Sequence, residues 1–179
     1  MFKDALKTAS RVIFSPQVAW EYISMRGTIN LYKKFLIPLW VIIIVSAFIG
    51  GLFVSADNSF EHGIKNLIID AFVLYVGFHM SVFFLNEYAK KQEVAEKDRK
   101  KAEIFVAYSS SLIYLVNIIV SILPAFFFLW LFSIYTFYIV YIGAEIYYQI
   151  IPEKRMSFMT VATLFIIGIP LILRSIMIT

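Results

Sequence analysis

The chain alternates between long apolar stretches and short segments that carry almost all of its charge. Five stretches are long enough to cross about 30 Å of hydrocarbon as helices that rise about 1.5 Å per residue. The pattern therefore predicts an all-α membrane protein with transmembrane helices over residues 35–54, 66–85, 104–123, 125–148 and 158–173. Pro124 separates the third span from the fourth. A single helix across both would overshoot the bilayer, so we predict a tight turn at Leu123–Pro124.

Lysine and arginine predict the orientation of these spans. Of the 16 basic residues, 14 precede the first span or lie between spans two and three or between spans four and five. Only Lys65 and Arg174 lie on the other side. Because short cytoplasmic loops carry the excess of basic residues, we expect the N-terminus inside and the C-terminus outside.

Residues 1–34 form a region of their own before the membrane domain of residues 35–179. Its apolar positions recur at helical spacing with basic residues between them, at Phe2, Leu6, Ala9 and Ile13. Ser15-Pro16 is a typical start for a second short helix. We predict amphipathic interfacial helices on the cytoplasmic leaflet. The alternative is a docking surface for a cytosolic partner.

Composition agrees with a bilayer as the solvent. The 179 residues are 61% hydrophobic and 16% charged, whereas a soluble domain is about 45–50% apolar and about 25% charged. The absence of cysteine excludes disulfides, thiolate metal sites and cysteine nucleophiles. The net charge of +4 does not indicate nucleic-acid binding, because the basic residues lie where membrane topology places them.

Polar residues inside the apolar stretches are candidates for function, since a charge in mid-membrane costs about 2.5–3.5 kcal/mol. The third span has a polar stripe at helical spacing that cannot face lipid. Its members are Glu103, Ala107, Ser110, Tyr114, Asn117 and Ser121. The candidates for a ligand or pathway site are Asp70, His79, Ser110, Tyr114, Asn117, Ser121, Tyr141 and Glu145. One interpretation is hydrogen bonding between helices. The other is a hydrated pathway in which Asp70 or Glu145 titrates and His79 changes charge near neutral pH.

Helical spacing also assigns faces to these residues. In the second span Asp70, Gly77 and Ser81 share one face, and Tyr75, His79 and Asn86 share a nearly opposite one. The first span has pairs of small residues that allow two helix backbones to approach closely or copies of the chain to associate, Ser46 with Gly50 and Ala47 with Gly51. Gly168 and Pro170 predict a kink in the fifth span.

No enzyme signature is present. The sequence has no GxSxG, HExxH, P-loop or GxGxxG motif, so we predict no catalytic site and no cofactor. Asp57, Glu61 and His62 lie together in one external loop. Such a loop needs polar residues in any case, and we predict no metal site.

Four segments resemble the Yip1-domain family, specifically its compact prokaryotic members. They are SPQVAWEYI before the first span, YKKFLIPLW at its start, AEIFVAYSSSLIYLVNIIVSILP in the third span, and YIVYIGAEIYYQIIPEKRMSFMTVA across the fourth and fifth. Leu112 stands where the family has a proline, and the DLYGP motif of eukaryotic relatives is absent. The resemblance covers nearly the whole chain and implies a five-span membrane domain without known catalytic residues.

The eukaryotic relatives are associated with vesicle trafficking and contact prenylated small GTPases. That role does not carry over, because the long cytosolic N-terminal region and the DLYGP motif are missing. We expect a non-enzymatic scaffold or partner-binding protein in the bacterial cytoplasmic (inner) membrane, with a protein partner on the cytoplasmic face or a second copy of the chain. The alternative is a small-solute or ion transporter or channel that uses the polar faces of spans two to four.

Overall fold

The computed structural model describes residues 1–26, 30–53, 59–91 and 98–178, and these residues form helices with no β-strand among them. The α-helices are α1 (Phe2–Phe14), α2 (Pro16–Arg26), α3 (Ile37–Leu52), α4 (Ser59–Lys91), α5 (Arg99–Ser109), α6 (Ser111–Ile122), α7 (Tyr135–Ile146), α8 (Pro152–Thr163) and α9 (Ile169–Ile178). Wide π-helical turns precede α3 and α9, at Tyr32–Leu36 and Leu164–Gly168. A 3₁₀ segment, Pro124–Ile134, precedes α7.

Four helical stretches are long and apolar enough to cross a membrane: Tyr32–Leu52, Ser59–Lys91, Pro124–Ile146 and Pro152–Ile178. The α5–α6 pair provides a fifth if it crosses as one bent unit. The all-helical class is thus confirmed, and the chain has the features of an integral membrane protein. Two stretches are longer than predicted, since α4 and the α8–α9 stretch extend beyond residues 66–85 and 158–173 at both ends.

The third predicted span is bent rather than straight. α5 and α6 meet at Ser110 with an angle of 44° between them. The Ser110 hydroxyl donates to the Val106 carbonyl at 2.7 Å, and the Ser111 hydroxyl donates to the Tyr108 carbonyl at 2.6 Å. Serine side chains that bond to nearby carbonyls compete with the helical backbone and bend helices. The Ser110 and Ser111 hydroxyls therefore account for the bend.

Prolines account for the other irregular turns. Pro38 and Pro170 each come two residues after a π-helical turn. A proline has no N–H and its ring clashes with the carbonyl four residues earlier, and a wider turn relieves that clash. The expected kink at Gly168 and Pro170 takes this form. Pro124 acts differently: α6 ends at Ile122, and the 3₁₀ segment starts at Pro124.

The N-terminal helices pack against the bundle, with α1 on α3 and α6 and α2 on α7. Trp20 in α2 is completely buried, and its indole N–H donates to the Ile139 carbonyl at 3.1 Å. Its ring stacks on Phe105 with centroids 5.3 Å apart. A Cβ on Gly143 of α7 would lie only 2.6 Å from the indole ring. The SPQVAWEYI and YIGAEIYY segments therefore meet where Trp20 packs against Gly143 and Tyr147.

The small residues of the first span lie inside the chain's own core. A Cβ on Gly50 would come within 1.7 Å of the Ser121 carbonyl oxygen of α6, and one on Gly51 within 2.7 Å of Gly63 in α4. Ser46 and Ala47 are also buried. An association of two copies through this face would have to displace α4 and α6.

Gly143→Ala should destabilise the protein by about 1–3 kcal/mol, the usual cost of overpacking a core. The new methyl would meet an aromatic ring that Phe105 and the Ile139 carbonyl hold in place. Gly168→Ala is the matched control, because nothing lies within 4 Å of the position that its methyl would take. Thermal unfolding of the two purified variants in detergent measures the difference. Equal melting temperatures for both would contradict the Trp20–Gly143 contact.

Candidate functional site

α4 carries polar residues on two nearly opposite faces, as its spacing predicts. Ser81 and His79 are about 200° apart around the helix axis. The Ser81 face packs on the stretch before α9, where the Ser81 hydroxyl donates to the Phe165 carbonyl at 2.8 Å. The His79 face lies against Tyr32, with ring centroids 6.5 Å apart. Each face contributes to a separate polar site.

On the first face Asp70 forms an ion pair with Arg174 of α9, with 2.9 Å between Oδ1 and Nη1. The Asp70 side chain is only 2% exposed and that of Arg174 is 34% exposed. The other Asp70 oxygen, Oδ2, is buried without a hydrogen-bond partner among the described residues. A cavity of about 230 Å³ adjoins Arg174 and is lined also by Asn66 and Ser121.

Three members of the polar stripe, Ser110, Tyr114 and Asn117, line a small central cavity between α4, α6 and α9. Its volume is about 40 Å³, which is enough for one or two water molecules. Ser81 and Pro170 close it on the other side. The stripe is therefore divided: these residues face the centre, whereas Ser121 faces the Arg174 cavity.

Glu145 and Tyr141 do not join this stripe. Arg155 of α8 lies 3.2 Å from the Glu145 carboxylate and 3.3 Å from the Tyr141 hydroxyl. The guanidinium also lies over the Tyr141 ring, 5.3 Å from its centroid. The Glu145 side chain is 45% exposed. The predicted candidates thus fall into several places rather than one.

A larger cavity, of about 560 Å³, lies between α4 and α5. We call it the α4–α5 cavity, and its lining residues are His79, Val82, Phe83, Asn86, Glu87 and Arg99. The Arg99 Nε donates to the Glu103 carboxylate at 3.1 Å. His79 Nδ1 is buried with no hydrogen-bond partner in the described part of the chain.

The sequence analysis did not predict a site at this cavity, although it contained two observations that point to this part of the bundle. His79 and Asn86 share a helical face, and Glu103 begins the polar stripe of the third span. The sequence analysis did not identify Arg99 as a candidate site residue, because the positive-inside rule already explains the basic residues between spans two and three. Helical spacing gives the face of a residue but not the neighbour that packs against it.

Tyr148, just beyond the end of α7, is buried and packs edge-on against Phe105, with ring centroids 5.0 Å apart. The Lys101 ammonium lies 5.0 Å from the centroid of the Tyr148 ring, a cation–π contact that fixes the start of α5 against this core.

A metal site finds no support in the described residues, which contain no cluster of three or more histidine, aspartate or glutamate side chains. Asp57 of the external loop lies outside the described residues, whereas Glu61 and His62 lie in the first turn of α4.

Among the described residues, these three cavities share no lining residue, and we predict that hydrophilic solutes do not reach Asn117 in the central cavity. A single cysteine at Asn117 should therefore resist a charged thiol reagent applied to both sides of the membrane. A single cysteine at the exposed Lys100 is the control and should react quickly; the natural chain has no cysteine that interferes. Comparable labelling rates at the two positions would mean that a continuous aqueous path reaches Asn117.

Comparisons with known proteins neither support nor contradict the resemblance to the Yip1-domain family. No family model, no curated protein sequence and no solved structure matches this chain. The function is therefore argued from the geometry of the described residues.

Proposed function

We propose that this chain is a five-span membrane protein of Yip1 type that acts without catalysis, as a scaffold that binds a protein partner in the bacterial cytoplasmic membrane. The observation that carries the proposal is the placement of the intramembrane charges. Asp70 and Glu145 are each held by an arginine in separate parts of the bundle, and the central cavity between α4, α6 and α9 is small.

The course of α5 and α6 supports the five-span topology. Tyr108 in α5 packs on Phe35 near the start of the first span, with ring centroids 4.5 Å apart. Ser121 in α6 packs on Gly50 near the end of that span. The bent pair therefore runs the length of α3 in the opposite direction, as a crossing unit does.

A contact between the end of α4 and the start of α8 supports the N-in, C-out orientation. The Tyr88 hydroxyl near the end of α4 lies 3.0 Å from the Ser157 hydroxyl near the start of α8. Basic residues flank both places, at Lys90, Lys91, Lys154 and Arg155. Grouping them at one end of the bundle fits the positive-inside rule.

α2 provides the surface that we assign to the partner. Trp20 and Ile23 anchor this helix in the core, while Val18 and Met25 on its other side are exposed. Because α2 is already ordered by its buried face, a partner that binds the exposed face does not lose affinity to the conformational entropy of ordering this helix. The transporter alternative draws its support from the three polar cavities. They share no lining residue among the described residues, and this favours the scaffold.

A photo-crosslinking amino acid at Met25 should give a discrete product of higher mass in native membranes. The same group at Phe127, an exposed position of the 3₁₀ segment in the fourth span, should give only lipid adducts. Denaturing gels followed by mass spectrometry distinguish the products, and a second copy of this chain counts as a partner. If Met25 yields only lipid adducts as Phe127 does, α2 is an anchor and the scaffold proposal fails.

A further inference from the structure

The α4–α5 cavity has no role in the proposed scaffold function, yet its position is informative. Tyr32 begins the first candidate span and packs against His79 at the cavity wall. Lys33 and Lys34 follow directly in the sequence. In the proposed topology, on which this inference rests, the cavity therefore lies at the depth of the lipid headgroups on the cytoplasmic side.

One wall of the cavity is apolar and open to the outside of the bundle. Phe83 lines the cavity and is 60% exposed, and its neighbour Phe84 is 40% exposed. Val82 completes this wall from the buried side. Exposed aromatic residues at this depth are suited to contact the upper part of an acyl chain.

The opposite side of the cavity is polar and carries both signs of charge. Arg99 and the buried Asn86 supply N–H donors. A guanidinium has five N–H donors, so Arg99 retains others beyond the one it gives to Glu103. Glu87 supplies a carboxylate. Arginine binds phosphate through paired N–H donors, and a carboxylate binds an ammonium group.

These features together favour a ligand with a phosphate and an ammonium group over a purely anionic one. An anionic headgroup would satisfy Arg99 but would lie close to the carboxylates of Glu87 and Glu103. The volume of about 560 Å³ lies within the usual range of about 300–1,000 Å³ for a small-molecule site. We propose that the α4–α5 cavity binds the headgroup of a zwitterionic phospholipid with a primary amine, of the phosphatidylethanolamine type.

Titration of the purified full-length protein in detergent with short-chain phosphatidylethanolamine tests this proposal, with short-chain phosphatidylglycerol and free phosphoethanolamine alongside. Native mass spectrometry gives the bound fraction at each concentration. We expect phosphatidylethanolamine to bind at least about tenfold more tightly than either other compound, since each lacks one set of contacts. Equal binding of phosphatidylglycerol would overturn the zwitterionic assignment. Equal binding of phosphoethanolamine would overturn the lipid assignment, because the Phe83 wall would then contribute nothing.

Arg99→Gln should weaken phosphatidylethanolamine binding about tenfold or more, the size of one lost charge-assisted contact, whereas Lys100→Gln should leave it unchanged. The two variants remove the same charge from adjacent exposed positions of α5, but only Arg99 lines the cavity. Arg99→Lys keeps the charge and serves as a control for folding. It should bind phosphatidylethanolamine with an affinity between those of the unmodified protein and Arg99→Gln. Equal effects of Arg99→Gln and Lys100→Gln would overturn the site.

Glu87→Gln supplies an independent readout of the ammonium contact. We expect it to narrow the preference for phosphatidylethanolamine over phosphatidylglycerol, and an unchanged preference would contradict the assignment of Glu87. If the unmodified protein shows no preference for phosphatidylethanolamine while the Met25 crosslink still forms, this inference is refuted and the scaffold proposal remains in place.

Discussion

In hydrocarbon every backbone N–H and C=O must find its partner within the protein, and this constraint governs the described part of the chain. The helices are interrupted at prolines and serines. Pro38 and Pro170 follow wide turns, and the Ser81 hydroxyl of α4 donates to the Phe165 carbonyl in the second of these turns. The wide turns thus keep the chain helical on both sides of a proline.

The absence of water from hydrocarbon also explains how the charged side chains are arranged. Asp70 is buried and takes its counter-ion from Arg174, which ties the first half of α4 to α9. Glu145, whose side chain is 45% exposed, is paired with Arg155 near the start of α8. Removing one partner of a buried ion pair costs much more than the pair contributes, so the contact between Asp70 and Arg174 specifies which helices are neighbours more than it stabilises the bundle.

The sequence predicted the helical class, the break at Pro124 and the two faces of α4, because each follows from local spacing or from the covalent chemistry of proline. It did not predict the bend at Ser110, although the three consecutive serines were visible. Nor did it show that Trp20 is buried against Gly143, since that contact joins two segments far apart in the chain. The polar stripe of the third span was taken as one surface. Its members have different neighbours along the helix: Tyr114 and Asn117 line the central cavity, whereas Ser121, one turn further along α6, lines the Arg174 cavity.

The central claim is that a bilayer surrounds this bundle and holds its basic flanks on one side. Labelling of single cysteines at Lys65 and Lys100 in intact cells and in inverted membrane vesicles tests it most directly, because both positions are exposed and lie on oppositely assigned sides. A membrane-impermeant thiol reagent should modify the cysteine at position 65 in cells and the one at position 100 in inverted vesicles. Modification of both from the same side would contradict the topology and every assignment of depth that depends on it.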